Sequence, residues 1–179
     1  MTKQPLFALI ASLPFLRMRE KPLLSHAAFL ESAAAFVGGR DLEELAALSL
    51  TPADGRSFRK GSFAAKYTAW ECALRQSIQR LRTAKFHLET ASPVRREPAY
   101  ESDADGAAVR AYAAADPLER ERILDAARWD KAEELTVGHT FDFDVVEAYA
   151  VKLQIAEKWA KRSAGDPEKN LDSSAAALE

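Results

Sequence analysis

The chain has 179 residues, 47% of them hydrophobic, so it is long enough to bury a core as a single domain. Its 25 basic and 27 acidic residues leave it close to neutral, which argues against a general nucleic-acid-binding protein. The one cysteine, Cys72, excludes an intramolecular disulfide, and no signal-like leader opens the sequence, so we expect a cytoplasmic protein.

The first apolar run spans residues 6–16. It is interrupted by Pro14 and is about half the length that a bilayer span requires, so we expect no transmembrane helix here. Residues 6–13 could form either a buried helix or a strand. Alanine and leucine dominate the run, and no second strand-like run is present to pair with it, which favours the helix.

Two short helices are predicted next. Ser25 is a good N-cap for a helix that runs to Val37, and the glycine pair 38–39 follows as its C-terminal cap. Asp41 then opens a helix over residues 42–48, because acidic side chains in a first turn interact favourably with the helix dipole.

The longest predicted element is a helix over residues 62–90. Mostly apolar side chains recur in it at steps of three and four residues, which places them on one face. They are Phe63, Tyr67, Trp70, Leu74, Ser77, Leu81, Ala84 and Leu88. At about 1.5 Å per residue this helix would be about 40 Å long, so at least two other helices must cover it.

The charges are unevenly distributed along the chain. Residues 56–96 contain ten basic and two acidic residues, whereas residues 97–147 contain fourteen acidic and five basic residues. One interpretation is that the two regions neutralise each other within the fold or are solvated. The other is that one face binds a charged protein partner.

The second half of the chain begins with a charged loop that contains proline, predicted over residues 91–106. Short helices follow at about 107–114 and 117–135. The second of these has Asp116 as its N-cap and Pro117 in its first turn.

The last predicted helix has Asp144 as its N-cap and Glu147 three residues later, a spacing typical of a capping box. It ends near Gly165. We therefore expect one helical domain over residues 1–165 and a disordered tail over residues 166–179. The final AAALE, residues 175–179, is typical of a vector-derived junction.

Catalytic and metal-binding patterns are not found in the sequence. The three histidines, His26, His87 and His139, are far apart in the sequence, and we take none of them as a metal ligand. Cys72 lies within the long helix, where we expect a small buried side chain. Gly38 has neither the preceding strand nor the following lysine and hydroxyl of a phosphate-binding loop. We predict no metal, no cofactor and no catalytic residues.

Aromatic side chains are the expected anchors of the core. We expect Trp70, Trp129 and Trp159, with Tyr67 and Tyr149, to join the two long helices.

Basic side chains flank the apolar face of the central helix. Arg75 and Arg82 lie on one flank, with Lys85 at its edge, and arginines in such positions are usually surface residues. They are also favoured at protein interfaces, where a guanidinium can bind carboxylates. We therefore take Arg75, Arg82 and Lys85 as candidate partner-binding residues.

Several stretches together resemble a known family. They are LFALIASLPFL, YTAWECALRQSIQRLRTAK, RWDKAEEL and FDFDVVEAYAVKLQIAEKW. They resemble an uncharacterised bacterial family encoded among V/A-type ATPase genes. That family is itself distantly similar to the C (or d) component of these ATPases, the all-helical socket between central stalk and rotor ring. The resemblance adds Lys152 and Glu157 as partner-binding candidates. This chain is about half the length of a full C component.

We therefore expect an all-α fold: an irregular helical bundle around one long central helix and a long antiparallel C-terminal helix. The resemblance implies a non-catalytic V/A-type ATPase subunit or assembly factor that binds stalk or rotor subunits, reaching the inner face of the cell membrane only through protein partners. One alternative is a free-standing chaperone or adaptor that binds a client peptide between helices. Another is a helical enzyme whose site is assembled from distant residues.

Overall fold

A computed structural model describes residues 6–51, 58–86 and 102–164 of the chain. Within these ranges it contains seven α-helices and no strand, which confirms the all-α prediction. The helices are α1 (Leu6–Ser12), α2 (His26–Ala34), α3 (Gly39–Ala47), α4 (Phe63–Phe86), α5 (Ser102–Ala113), α6 (Pro117–Glu134) and α7 (Phe143–Ala164). The side chains of residues 85, 86 and 164 lie outside the description.

Two helices begin at the caps that the sequence predicts. Ser25 is the N-cap of α2, and its Oγ accepts a hydrogen bond from the backbone nitrogen of Ala28 at 3.2 Å. Asp116 is the N-cap of α6 and accepts hydrogen bonds from the backbone nitrogens of Leu118 and Glu119 at 3.2 and 3.3 Å. Each cap satisfies backbone N–H groups that the first turn of a helix leaves unpaired.

The boundary between α2 and α3 differs from the prediction. α2 ends at Ala34, three residues before Val37. The glycine pair does not cap it, because Gly38 is the N-cap of α3 and Gly39 is the first residue of that helix. Glycine is accepted at helix starts as well as at helix ends, so the local sequence fits both boundaries.

The charged loop is shorter than predicted at its C-terminal end. α5 begins at Ser102, so residues 102–106 are helical. Asp103 and Asp105 lie in its first turn, where carboxylates interact favourably with the helix dipole. Residues 87–101, which include the predicted end of the central helix and the rest of the loop, lie outside the described part of the chain, as do residues 165–179.

The start of α7 also differs from the prediction. The helix begins at Phe143, so Asp144 lies in its first turn rather than at the N-cap. The predicted capping box is wrong, because Glu147 is fully buried and no described donor forms a hydrogen bond with either of its carboxylate oxygens. The side chain is therefore part of the interior.

Among the described residues, three groups of buried side chains hold the helices together. The first joins α4 to α7 and includes Tyr67 and Ile155. The second packs α1, α2 and α3 onto α7 and includes Phe29 and Leu45. The third joins α4 to α5 and includes Trp70. Since α4 and α7 each contribute to two groups, the other helices are arranged around these two.

The large aromatic side chains divide between these groups. Tyr67 and Trp159 lie in the group that joins α4 to α7, as predicted. Trp70 packs instead against α5. Tyr149 packs against Phe29 of α2, with ring centroids 5.2 Å apart. The prediction that all of these aromatic residues join the two long helices is therefore wrong for Trp70 and Tyr149.

Candidate functional site

A buried network of charged side chains connects α4 with α6. Glu71 of α4 and Asp125 of α6 are both fully buried. Arg128 donates hydrogen bonds from Nε and Nη2 to the two oxygens of Glu71 at 2.9 and 2.8 Å, and from Nη1 to Asp125 at 2.8 Å. Burial disfavours the charged guanidinium, but the hydrogen bonds and charge of Glu71, followed by those of Asp125, raise the pKa of Arg128 above its ordinary value. The arginine is therefore held in its charged form.

Arg75 belongs to the same network. Its Nε donates to Glu71 at 2.8 Å, and its Nη2 donates to the carbonyl oxygen of Leu50 at 2.6 Å. These bonds fix α4 to the segment that follows α3. The candidate partner-binding residue Arg75 therefore has its hydrogen-bonding groups directed at the chain itself, although its side chain is 41% exposed.

α7 joins the network through Asp125. Lys158 Nζ and Trp159 Nε1 donate to the same oxygen of Asp125 at 2.7 and 3.0 Å. Lys158 also pairs with Glu121 at 2.7 Å, and Glu121 in turn binds Arg162. Burial acts to raise the pKa of Glu121, but the hydrogen bonds and charges of Lys158 and Arg162 outweigh it and lower that pKa below its ordinary value. The network thus fixes α6 against α7 as well as against α4.

Arg82 lies outside this network. It is exposed on α4, and no described residue forms an ion pair or a hydrogen bond with its side chain. Together with residues of α5 and α6 it lines a cleft of about 160 Å³. The other lining residues are Ile78, Ala108, Ala111, Tyr112, Arg120 and Leu124. We call this space the α4–α6 cleft.

Arg120 is the second arginine of the α4–α6 cleft, and the sequence interpretation missed it. Its Nε donates to the carbonyl oxygen of Ala114 at 2.7 Å, and no carboxylate of the described residues pairs with it. Two nearby arginines do have carboxylate partners: Arg80 pairs with Asp105 at 2.8 Å, and Arg122 pairs with Glu119 at 3.2 Å. The cleft therefore combines apolar walls with two guanidinium groups that lack carboxylate partners among the residues described.

The remaining candidate residues are distributed over the molecule. Lys85 lies on α4, but its side chain is outside the description. Lys152 pairs with Glu133 at 3.0 Å and lies 4.8 Å from the ring centroid of Trp129. Glu157 accepts a hydrogen bond from the backbone nitrogen of His26 at 2.8 Å, at the start of α2. Glu157 therefore has a structural contact, since a carboxylate at this position stabilises the helix start.

Lys152 lies in a groove between residues 13–18 and the helices α6 and α7. The groove consists of two adjoining clefts of about 230 and 360 Å³ that share Phe15, Leu16 and Lys152. Phe15 is 86% exposed, and Leu16 is buried beside it. This surface, which we call the Phe15 groove, combines apolar side chains with the charged residues Arg17, Asp130, Glu133 and Lys152.

Glu147 occupies a separate buried position near Glu44 of α3. Burial, then the charges of Glu44 and Asp144, raise the pKa of Glu147 to about 8, while the charge of Arg59 acts in the opposite direction. Glu44 itself accepts a hydrogen bond from Ser62 at 3.0 Å. A carboxyl group at this position is neutral over much of the pH range in which an exposed glutamate is charged.

Two further observations apply to the described residues alone. No group of three or more His, Cys, Asp or Glu side chains lies close enough together there to hold a metal ion. None of the helices there has the length and hydropathy needed to cross a membrane.

Cys72 lies on α4 and is exposed, so the expectation that its side chain is buried is wrong.

Comparison with known proteins found a family model that matches part of the chain. Residues 107–170 match a family described as a protein of unknown function, DUF2764. The match begins within α5 and includes all of α6 and α7, and so contains Arg120 and Arg128 but not Glu71 or Arg82. The search of curated proteins and the search of solved structures found no match.

Proposed function

We propose that this chain is a non-catalytic, cytoplasmic protein associated with a V/A-type ATPase, as a subunit or an assembly factor, and that it binds a central-stalk or rotor-ring subunit. The resemblance of its N-terminal, central and C-terminal stretches to proteins encoded with that ATPase supports the identity of the complex. In this proposal the protein reaches the membrane through its protein partners.

The observation that carries the binding role is Arg82 in the α4–α6 cleft. Arg75, Arg80 and Arg128 are bound to carboxylates of the chain itself, whereas Arg82 is exposed beside an apolar surface. Arginine next to an apolar depression is the composition typical of an interface centre.

Affinity capture from gently solubilised cells of the source organism tests this proposal. The tagged wild-type protein should recover stalk or rotor subunits of the ATPase in stoichiometric amounts. The Arg82→Glu variant should recover clearly less. A matched control is Arg110→Glu, because Arg110 is also exposed, lies on α5 and does not line the cleft. Recovery of no ATPase subunit by the wild-type protein would refute the proposal.

The Phe15 groove favours a second candidate function, that of an adaptor that binds a client peptide. The groove contains an exposed aromatic ring, and it extends over two adjoining clefts. This shape suits an extended or helical peptide. Phe15→Ser should then abolish client recovery in the same capture experiment, and Leu23→Ser, an equally exposed apolar residue elsewhere, should leave it unchanged.

A further inference from the structure

The walls of the α4–α6 cleft are apolar. Ile78 of α4 and Leu124 of α6 lie on two sides, and the small side chains of Ala108 and Ala111 on α5 leave the space between them. A cavity of about 150 Å³ with apolar walls is large enough for a benzene molecule. A cleft of about 160 Å³ therefore has room for one leucine or phenylalanine side chain.

Among the described residues, the charged side chains around the cleft have one sign. Arg82 and Arg120 line it, and no aspartate or glutamate of the described ranges does. The guanidinium nitrogens of Arg82 and the Nη groups of Arg120 form no hydrogen bond with the described residues. A guanidinium group beside a desolvated surface binds carboxylates strongly, and two such groups exclude a basic ligand by charge repulsion.

We propose that the α4–α6 cleft receives a leucine or phenylalanine side chain of a partner protein, presented on a helix within one turn of an aspartate or glutamate whose carboxylate binds Arg82 and Arg120. The proposal rests on the proposed function in so far as it assumes a protein partner. It adds the chemistry by which that partner is recognised. Positions three or four residues apart on a helix share one face, so a single turn can place both groups at the cleft.

A photo-cross-linker placed next to the cleft identifies the occupant. Ala115 is exposed in the connection between α5 and α6 and adjoins Ala114, whose carbonyl oxygen binds Arg120. Ala115 is replaced by p-benzoylphenylalanine in the full chain, expressed in cells of the source organism. The matched control carries the same substitution at Ala35, an exposed alanine that follows α2. Irradiation is followed by mass spectrometry of the cross-linked peptides.

The expected result is a cross-link from position 115, and not from position 35, to a partner segment in which leucine or phenylalanine lies within four residues of an acidic residue. Arg82→Glu should lower its yield about tenfold, whereas Arg110→Glu should change it less than about twofold. Replacing the partner's acidic residue with arginine should restore the yield with Arg82→Glu. Circular dichroism of each variant confirms that the helices are retained.

Several results would overturn the inference. They are a cross-link to a basic partner segment, a cross-link only within the chain itself, equal yields from positions 115 and 35, or a yield that Arg82→Glu leaves unchanged. The two proposals fail separately. A cross-linked acidic segment from a protein outside the ATPase refutes the proposed function alone, and recovery of ATPase subunits without a cross-link at the cleft refutes the cleft assignment alone.

Discussion

The charged network inside the molecule makes a quantitative prediction about Glu71→Gln. The glutamine side chain has nearly the same volume but carries no charge, and its amide nitrogen cannot accept the hydrogen bonds that Arg128 and Arg75 donate to Glu71. Removing one partner of a buried ion pair costs about 3–5 kcal/mol. Here the largely buried Arg128 would keep only its ion pair with Asp125. Since small domains are stable by about 5–15 kcal/mol, this variant should lose a large part of its stability.

Urea unfolding followed by circular dichroism at 222 nm measures the effect. With a slope of about 2 kcal/mol per molar urea, the midpoint of unfolding should fall by about 2 M. The control is Glu119→Gln, which removes a more exposed ion pair with Arg122 and should cost less than about 1 kcal/mol. A loss below about 1 kcal/mol for Glu71→Gln would refute the buried network.

Three further predictions concern single positions. Glu147 has a pKa of about 8 in the folded protein and an ordinary value of 4.5. Between these pH values the folded state binds more protons than the unfolded state, so the free energy of unfolding should fall with rising pH, by up to about 1.4 kcal/mol per pH unit. Glu147→Gln should remove that fall, so its melting temperature should exceed the wild-type value at pH 8 and approach it at pH 5; parallel curves would contradict this. In urea unfolding, Arg75→Glu should lower the free energy of unfolding by about 2 kcal/mol, and Arg82→Glu should lower it by less than about 0.5 kcal/mol. Equal losses would contradict the conclusion that Arg75 has a structural role and Arg82 does not. Ser25→Ala should cost about 1 kcal/mol through loss of the α2 cap, and an unchanged urea midpoint would count against it.

The parts of the fold that the sequence predicts are those that depend on neighbouring residues. The caps at Ser25 and Asp116 and the start of α6 follow from side chains that bind backbone groups two or three residues away. Where one local pattern fits two structures, the prediction is wrong. The glycine pair 38–39 fits a helix end and a helix start equally well, and Asp144 with Glu147 has the spacing of a capping box that the folded chain does not form.

The candidate site was only partly predictable for the same reason. Arg75 and Arg82 have similar positions on the predicted helix, and only the folded chain distinguishes them, because Leu50 lies close to one and not to the other. Arg120 comes from an acidic region of the sequence and reaches the cleft through the packing of α6. One signal was available in advance: Glu71 is the single acidic residue between residues 56 and 86, and an isolated carboxylate on a basic helix needs a partner from elsewhere.

The pairing of Glu71 with Arg128 also affects the order in which the chain can fold during synthesis. The two residues are 57 positions apart. At about 5–20 residues per second, the ribosome adds Arg128 about 3–11 s after Glu71. Until then Glu71 has only the partly exposed Arg75 as a partner, so burying this carboxylate is less favourable before α6 has been made. Final packing of α4 against α6 therefore waits for the C-terminal half of the chain.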